Sequence, residues 1–180
     1  MIVSPTGFNG LYILEPKVHG DARGYFMESY NKQTLLKAGI DINFVQDNQS
    51  RSSRGVLRGL HFQRTPYAQT KLVRVLSGTV LDVVVDLRRA EPTYGKHFSV
   101  EISSDNKKQV LVPKGFAHGF LVLSETAEVF YKCDEYYNPQ ADGGINYKSI
   151  DVDWQLSSDK LLLSDKDKNL PLIQDAKFSF

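Results

Sequence analysis

The chain is a succession of short runs rich in Val, Ile, Phe and Tyr, separated by Gly, Asn, Asp, Ser or Pro. The runs are Leu11–Leu14, Tyr25–Tyr30, Phe44–Val45, Leu72–Leu76, Val80–Leu87, Phe98–Ile102, Val110–Val112, Phe120–Leu123 and Glu128–Cys133. β-Branched and aromatic side chains fit a pleated surface, and the residues between the runs supply positive φ or local side-chain hydrogen bonds. Ser77-Gly78 and Ser104-Asp105-Asn106 are turns of this kind. One helix is expected at about Lys32–Ala38, with Asn31 as N-cap and Gly39 ending it in the left-handed conformation. A short turn is expected near Ser158–Leu162, and no repeat, low-complexity tract or linker interrupts the pattern. At 180 residues the expectation is one domain, residues 1–180, with a sizeable core. Many strands in one domain bury their apolar faces by pairing or closing sheets. The expected fold is therefore mainly β, a sandwich or jelly roll with a few short peripheral helices, whose mouth is a natural ligand cavity.

Charge excludes some partners. Lys and Arg total 22 against 21 Asp and Glu, so no net field favours nucleic acid or an anionic membrane, and any anion site must be local. No long apolar run spans a bilayer, and the first residues lack a basic region followed by an apolar core. The lone cysteine, Cys133, excludes an intrachain disulfide and a Cys-based zinc cluster, and suits the cytoplasm, the expected location.

Polar residues inside apolar runs then stand out. Gly55-Val-Leu-Arg-Gly-Leu-His-Phe-Gln63, followed by Lys71-Leu-Val-Arg74, sets Arg58, His61, Gln63 and Lys71 among strand-like neighbours. Strand alternation puts His61 and Gln63 on one face, and paired strands can bring a lysine alongside. An imidazole titrates near neutrality and is the side chain best suited to proton transfer. An unaccompanied strand histidine is more often structural; here the company of Arg58, Gln63 and Lys71 points to a site. In Val80–Leu87 apolar residues fall on both faces, and Asp82 and Asp86 point the same way. Tyr131 is either a half-buried strand tyrosine or a phenolic acid able to return a proton; Cys133, on the same face, reads as packing. The charged segment Leu163–Pro171 reads as a solvated loop unless it folds back so that Asp167 orients His61.

His118 follows Pro113-Lys-Gly-Phe-Ala, a spacing similar to the second motif of the cupin family, Pro-x-Gly-x-x-His. Metal-binding cupins use His-x-His in the first motif. Here Gln63 stands where the second histidine belongs, and an amide is a poor ligand for zinc or iron, so no metal is expected.

Taken together, Gly20-Asp-Ala-Arg-Gly24, Phe44-Val-Gln-Asp-Asn48, Leu57–Gln63, Lys71–Arg74, Pro113–Phe120, Tyr131-Lys132, Tyr136-Tyr-Asn-Pro139 and Ser164-Asp-Lys-Asp167 resemble the dTDP-4-dehydrorhamnose 3,5-epimerases over nearly the whole length. The resemblance implies a cupin-like jelly roll, a homodimer, and neither metal nor redox cofactor. It implies a dTDP-linked 4-keto-6-deoxyhexose as substrate, on the route to dTDP-L-rhamnose. It further implies His61 as base, oriented by Asp167, with Lys71 stabilising the enolate oxygen and Tyr131 delivering a proton from the other face. His118 would touch the sugar or assist at the oxyanion. Arg23, Glu28, Gln46, Asp47, Asn48 and Arg58 match positions that hold the nucleotide and its pyrophosphate, part of the set coming from the partner subunit. Tyr137, with Tyr136 as the nearby alternative, matches an aromatic that stacks on thymine. Asp142 and Lys166 match further substrate contacts, with Asp142 replacing a Glu of longer reach, and Cys133 stands where a small residue or Thr is expected. A single-centre epimerase, a metal-dependent cupin and a non-catalytic sugar-nucleotide binder are the alternatives.

Overall fold

Val80-Leu-Asp-Val-Val-Val-Asp-Leu87 is apolar at both parities, so a strand built from it needs cover on both faces. The computed structural model, which describes residues 1–178 and 180, provides that cover. Its strands are β1 (Ile2–Pro5), β2 (Tyr12–Glu15), β3 (Val18–Asp21), β4 (Gly24–Met27), β5 (Gln46–Ser53), β6 (Leu57–Gln63) and β7 (Lys71–Ser77). Then follow β8 (Thr79–Asp86), β9 (His97–Ser103), β10 (Gln109–Val112), β11 (Phe116–Val122), β12 (Thr126–Cys133) and β13 (Asp142–Gly144). Two short helices, α1 (Lys32–Lys37) and α2 (Asp165–Lys168), lie outside them. One sheet runs β1-β2-β10-β7-β12-β5, the other β13-β6-β11-β8-β9, and β3 with β4 forms a separate hairpin. The strand pairs within these sheets are antiparallel. This is the jelly roll expected from the strand pattern, in the cupin-like form that the resemblance implies.

Alternation sorts the side chains into layers. Val80 and Val84 of β8 join Val73 and Val75 of β7, Val129 of β12 and Phe116 and Phe120 of β11 between the two sheets. Leu81, Val83 and Val85 point the other way, into a second core closed by Ile145, Val152 and Trp154. Asp82 and Asp86 share the inward face of β8, and both are buried. Asp86 is held by Arg88 at 2.7 Å and by the Thr93 hydroxyl at 2.6 Å. On the outer face of the six-stranded sheet, Leu35 of α1 packs with Leu14, Leu72 and Leu111. Asn31 caps α1 by accepting from Gln33 N and Thr34 N, and Gly39 follows with φ +81°. The cap contributes about 1 kcal/mol and the buried leucine about 1.5–3 kcal/mol, so packing rather than capping holds so short a helix in place.

Three expectations are corrected. Phe44–Val45 is not a strand: pairing with β12 begins at Gln46 and continues through eight polar residues to Ser53, while Phe44 packs beside α1. The polar composition had hidden β5 because it is an edge strand with one side exposed and the other facing a cavity. The strand expected over Tyr25–Tyr30 ends at Met27, after which the chain turns into the Asn31 cap. The charged tail carries α2, capped by Ser164, where a solvated loop was expected.

The most consequential irregularity lies in β6. Against β11, Arg58 pairs with Phe120 and His61 with His118, so three steps on β6 match two on β11. In a regular strand residues three apart face opposite ways; this bulge turns Arg58 and His61 to the same face. Gly59 (φ +124°) and Gly119 make it possible by close backbone contact. A Cβ at Gly59 would sit 2.7 Å from the Gly119 Cα and 2.9 Å from the His118 carbonyl oxygen. Gly59→Ala is therefore expected to cost about 2–5 kcal/mol, combining a strained φ with overpacking. Urea denaturation measures the loss; a stability within 0.5 kcal/mol of wild type, to within about the usual scatter of surface substitutions, would contradict the close-approach account.

Candidate active site

The inward faces of β5, β6, β7, β11 and β12 leave a cavity of about 520 Å³ between the sheets, roofed by the segment that carries Leu162, Leu163, Ser164, Lys166 and Asp167. Ser50, Arg58, His61, Lys71, His118 and Tyr131 line it from the strands. A smaller adjoining cavity of about 150 Å³ shares His61, Lys71, Tyr131 and Lys166 and adds Gln63, Gln69, Tyr137 and Asp142.

His61 and Asp167 lie 106 positions apart and meet at 2.6 Å, His61 Nε2 to Asp167 Oδ1. The carboxylate is buried, with the side chain 4% exposed, while that of His61 is 31% exposed. Asp167 reaches this point because Ser164 caps α2, its Oγ accepting from Asp167 N at 3.1 Å. The Gly59 N–H donates to the second carboxylate oxygen. Burial pushes the Asp167 carboxyl up, but the His61 hydrogen bond and charge, with Gly59 and Ser164, outweigh it and hold it below the usual carboxylate range. Asp167 is thus an ionised acceptor. With the imidazole neutral, such an acceptor holds the ring proton on Nε2 and leaves the lone pair on Nδ1, the arrangement that fixes tautomer and ring orientation in a general base.

Lys71 and Tyr131 come from the facing six-stranded sheet. Lys71 Nζ lies 5.8 Å from the centre of the Tyr131 ring. Burial pushes the Lys71 ammonium pKa down, opposed by the nearby Cys133, Asp142 and Asp82. Burial also pushes the Tyr131 phenol up, reinforced by Cys133 and opposed by Arg58, so the phenol is protonated at neutral pH. Cys133 is fully buried with its thiol raised by burial, and Asn48 Nδ2 donates to its Sγ at 3.6 Å. It is a packing residue at the foot of the site.

His118 stands opposite His61 across the β6–β11 pair, and its Nε2 lies 2.8 Å from Asp82 Oδ2. Both residues are buried, and Asp82 Oδ1 has no hydrogen-bond partner among the described residues. The site therefore contains two His–carboxylate pairs, and in both the histidine lines the cavity. Gln63 is not arranged as a ligand: its amide donates to the Tyr67 and Tyr136 carbonyls and accepts from Asn138 N. It splints the loop between β12 and β13.

The remaining residues singled out from sequence divide into two groups. Tyr137 and Asp142 face the adjoining cavity, where Asp142 pairs with Lys166; Tyr136 is exposed and is not among the lining residues. Gln46 and Asn48 lie on the inward parity of β5, with Gln46 donating to Asn48 Oδ1 at 3.1 Å and accepting from Tyr137 N at 3.0 Å. Asp47 has the opposite parity, is exposed, and bonds Lys132 at 2.8 Å. Arg23 is exposed on the β3–β4 hairpin beside Asp21, and Glu28, just beyond it, accepts from Asn31 Nδ2. Neither lines the cavity of its own chain.

Comparison with known proteins follows the same lines. A family model described as dTDP-4-dehydrorhamnose 3,5-epimerase matches residues 5–175. The chain belongs to that family. The epimerase of Escherichia coli K12 is 52% identical over 173 residues, which cover 94% of this chain and 93% of that protein. The crystal structure of the Elizabethkingia anophelis epimerase superposes with a TM-score of 0.92 at 47% identity, covering 97% of each chain. The Legionella pneumophila enzyme, solved with dTDP-4-keto-L-rhamnose, gives 0.92 at 45% identity, over 97% of this chain and 93% of that one. Members of this family are isomerases, and the metal-dependent cupin and the non-catalytic binder are set aside.

Several cavity residues escaped sequence reasoning. Ser50 sits in a strand too polar to look like one. Leu162 and Leu163 gave no signal because they reach the cavity through the Val56–Leu162 bridge, a long-range contact. Asp82 was legible as an inward aspartate and His118 as a buried histidine, but their pairing was not.

Lys71 supplies a pH prediction. Its folded pKa is below the ordinary value of 10.5, so it loses its positive charge at lower pH than an exposed lysine does. NMR titration of ¹³Cε-labelled lysines, with Lys71→Arg to assign the signal, should find it deprotonating first as pH rises. Titration at or above 10.5 would refute the burial argument.

Proposed function

We propose that the chain is a dTDP-4-dehydrorhamnose 3,5-epimerase that inverts C3 and C5 of dTDP-4-dehydro-6-deoxy-D-glucose by enolate chemistry. The observation that carries the proposal is the placement of His61, oriented by Asp167, on one sheet and of Lys71 and Tyr131 on the sheet that faces it. A sugar ring held between the sheets is approached from both faces. A 4-keto group acidifies the C3 and C5 hydrogens. His61 Nδ1 removes one, the electron pair moves into the C4 carbonyl, and Lys71 stabilises the oxygen anion. Tyr131 donates its phenolic proton to the opposite face of the carbanion carbon, which inverts the centre; solvent restores the protonation of both residues. General acid–base catalysis contributes about 10²–10⁴-fold in such a step, and a cation aimed at the developing charge adds to it. Neither electron carrier nor metal has a part in this chemistry.

His118 serves the sugar or the oxyanion. Arg58, with Gln46, Asn48 and Lys166, forms the polar approach suited to a pyrophosphate, since a guanidinium binds phosphate oxygens bidentately. Tyr137 offers an aromatic face to a flat base. Asp142 contributes through Lys166. Arg23 and Glu28 are assigned to the neighbouring site of a homodimer, with Asp47 on the same outer side. Support comes from the hairpin that carries Arg23, which exposes Tyr25 at 57% and Phe26 at 71% and directs no residue into its own cavity. The active unit is then a single domain of residues 1–180, paired with a second copy in the cytoplasm, where the lone thiol stays reduced.

Proton NMR with dTDP-4-keto-6-deoxyglucose in D₂O tests this. Exchange is expected at C3 and at C5, with rhamnose product forming when a reductase is added; exchange at one carbon alone would make the enzyme a single-centre epimerase. His61→Ala should abolish both exchanges while dTDP still binds, and substantial residual turnover would remove His61 as the base. Tyr131→Phe should spare proton removal more than inversion. Equal loss of the two would count against its role as acid.

A further inference from the structure

The pyrophosphate site rests on Arg58, yet Arg58 is exposed, and a long solvated side chain samples many rotamers before a ligand orders it. Among the described residues its one side-chain hydrogen bond runs from Nε to the Ser52 Oγ, at 3.0 Å. Ser52 is only 8% exposed and lies on the inward face of β5, opposite Ala127 of β12. Ser50, two residues earlier on the same face, lines the cavity itself. With Nε engaged, the donors left on the guanidinium are those of Nη1 and Nη2, the end-on edge that grips two phosphate oxygens at once.

We propose that Ser52 is a positioning residue for substrate binding: its hydroxyl oxygen anchors Arg58 Nε, so that the Nη1–Nη2 edge of the guanidinium faces the pyrophosphate of the nucleotide-sugar. The proposal rests on the epimerase reading and adds to it a residue that touches neither sugar nor reacting atoms. Two devices thereby aim Arg58. The bulge at Gly59 turns its Cα toward the cavity, and Ser52, contributed by the facing sheet, fixes the far end of the side chain. A serine suits the role because its small hydroxyl accepts a hydrogen bond without filling the space that the phosphates need.

The test is calorimetric titration with dTDP, paired with steady-state kinetics. Ser52→Ala should weaken dTDP binding about tenfold, equivalent to about 1.4 kcal/mol, and raise KM to match, with a smaller fall in kcat. Ser52→Thr, which keeps the hydroxyl, should bind within about twofold of wild type. In an Arg58→Ala background, Ser52→Ala should cause no further loss. Unchanged affinity in Ser52→Ala, a loss that persists undiminished in the Arg58→Ala background, or a fall in kcat at constant KM would each overturn the proposal. If Ser52→Ala does not fold, the Thr variant decides: wild-type affinity supports the anchor, and a tenfold loss despite the retained hydroxyl overturns it. Folded wild-type protein that fails to bind dTDP would remove the epimerase reading and this proposal together, whereas wild-type binding unaffected by Ser52→Ala would remove this proposal alone.

Discussion

The close approach of Gly59 to Gly119 is the contact on which the rest of the site depends. Two backbones can come this near only where neither residue carries a Cβ; an added methyl at Gly119 would meet the Arg58 carbonyl oxygen at 2.5 Å. The approach gives β6 one extra residue relative to β11 and rotates Arg58 onto the face that already holds His61. Without it, strand periodicity would send one of the two into the apolar core closed by Trp154. An ordinary sheet irregularity thus brings a guanidinium and an imidazole into one cavity.

Electrostatics then bias the protonation of Asp167, Tyr131 and Lys71. Burial alone would favour a neutral Asp167, but the hydrogen bonds it accepts reverse that preference, and the resulting anion fixes the tautomer of His61. Burial has the opposite consequence at Tyr131, where it keeps the phenol protonated. His61, paired with an ionised carboxylate, and Tyr131, with its phenolic proton retained, therefore line one cavity from the two sheets. Lys71 lies beside Tyr131 on the six-stranded sheet, and burial lowers its pKa against the pull of Cys133, Asp142 and Asp82. The second pair, His118 with Asp82, is buried at the cavity wall, with His118 lining the cavity and Asp82 behind it.

The sandwich also fixes the spacing of the groups that line the cavity. His61 and Tyr131 stand on different sheets, so the distance and angle between them are set by the packing of Val73, Val84, Phe120 and Val129 between those sheets. Interiors packed at crystal-like density resist such displacement. The relative placement of His61, Lys71 and Tyr131 is thus a property of the core rather than of a loop. α2 is the exception: it supplies Asp167 from the tail and is held by the Ser164 cap, the Asp142–Lys166 pair and the contact with His61.

Local physical chemistry made much of this legible in the amino-acid order alone. The strands from Leu72 to Cys133, the Asn31-capped helix and the shared face of Asp82 and Asp86 follow from side-chain periodicity and turn chemistry. Polar residues in apolar strands marked His61, Lys71 and His118, because burying an imidazole or ammonium requires compensation. Tertiary structure alone decided the strand character of Gln46–Ser53, whose polar residues adopt it through pairing with β12 and not through any propensity of their own. It alone brought Asp167 across 106 positions to His61, turned Arg58 into the cavity through a one-residue slip, and set Ser52 against its guanidinium. Periodicity is written residue by residue, whereas register shifts and long-range pairs arise only when distant segments compete for the same space.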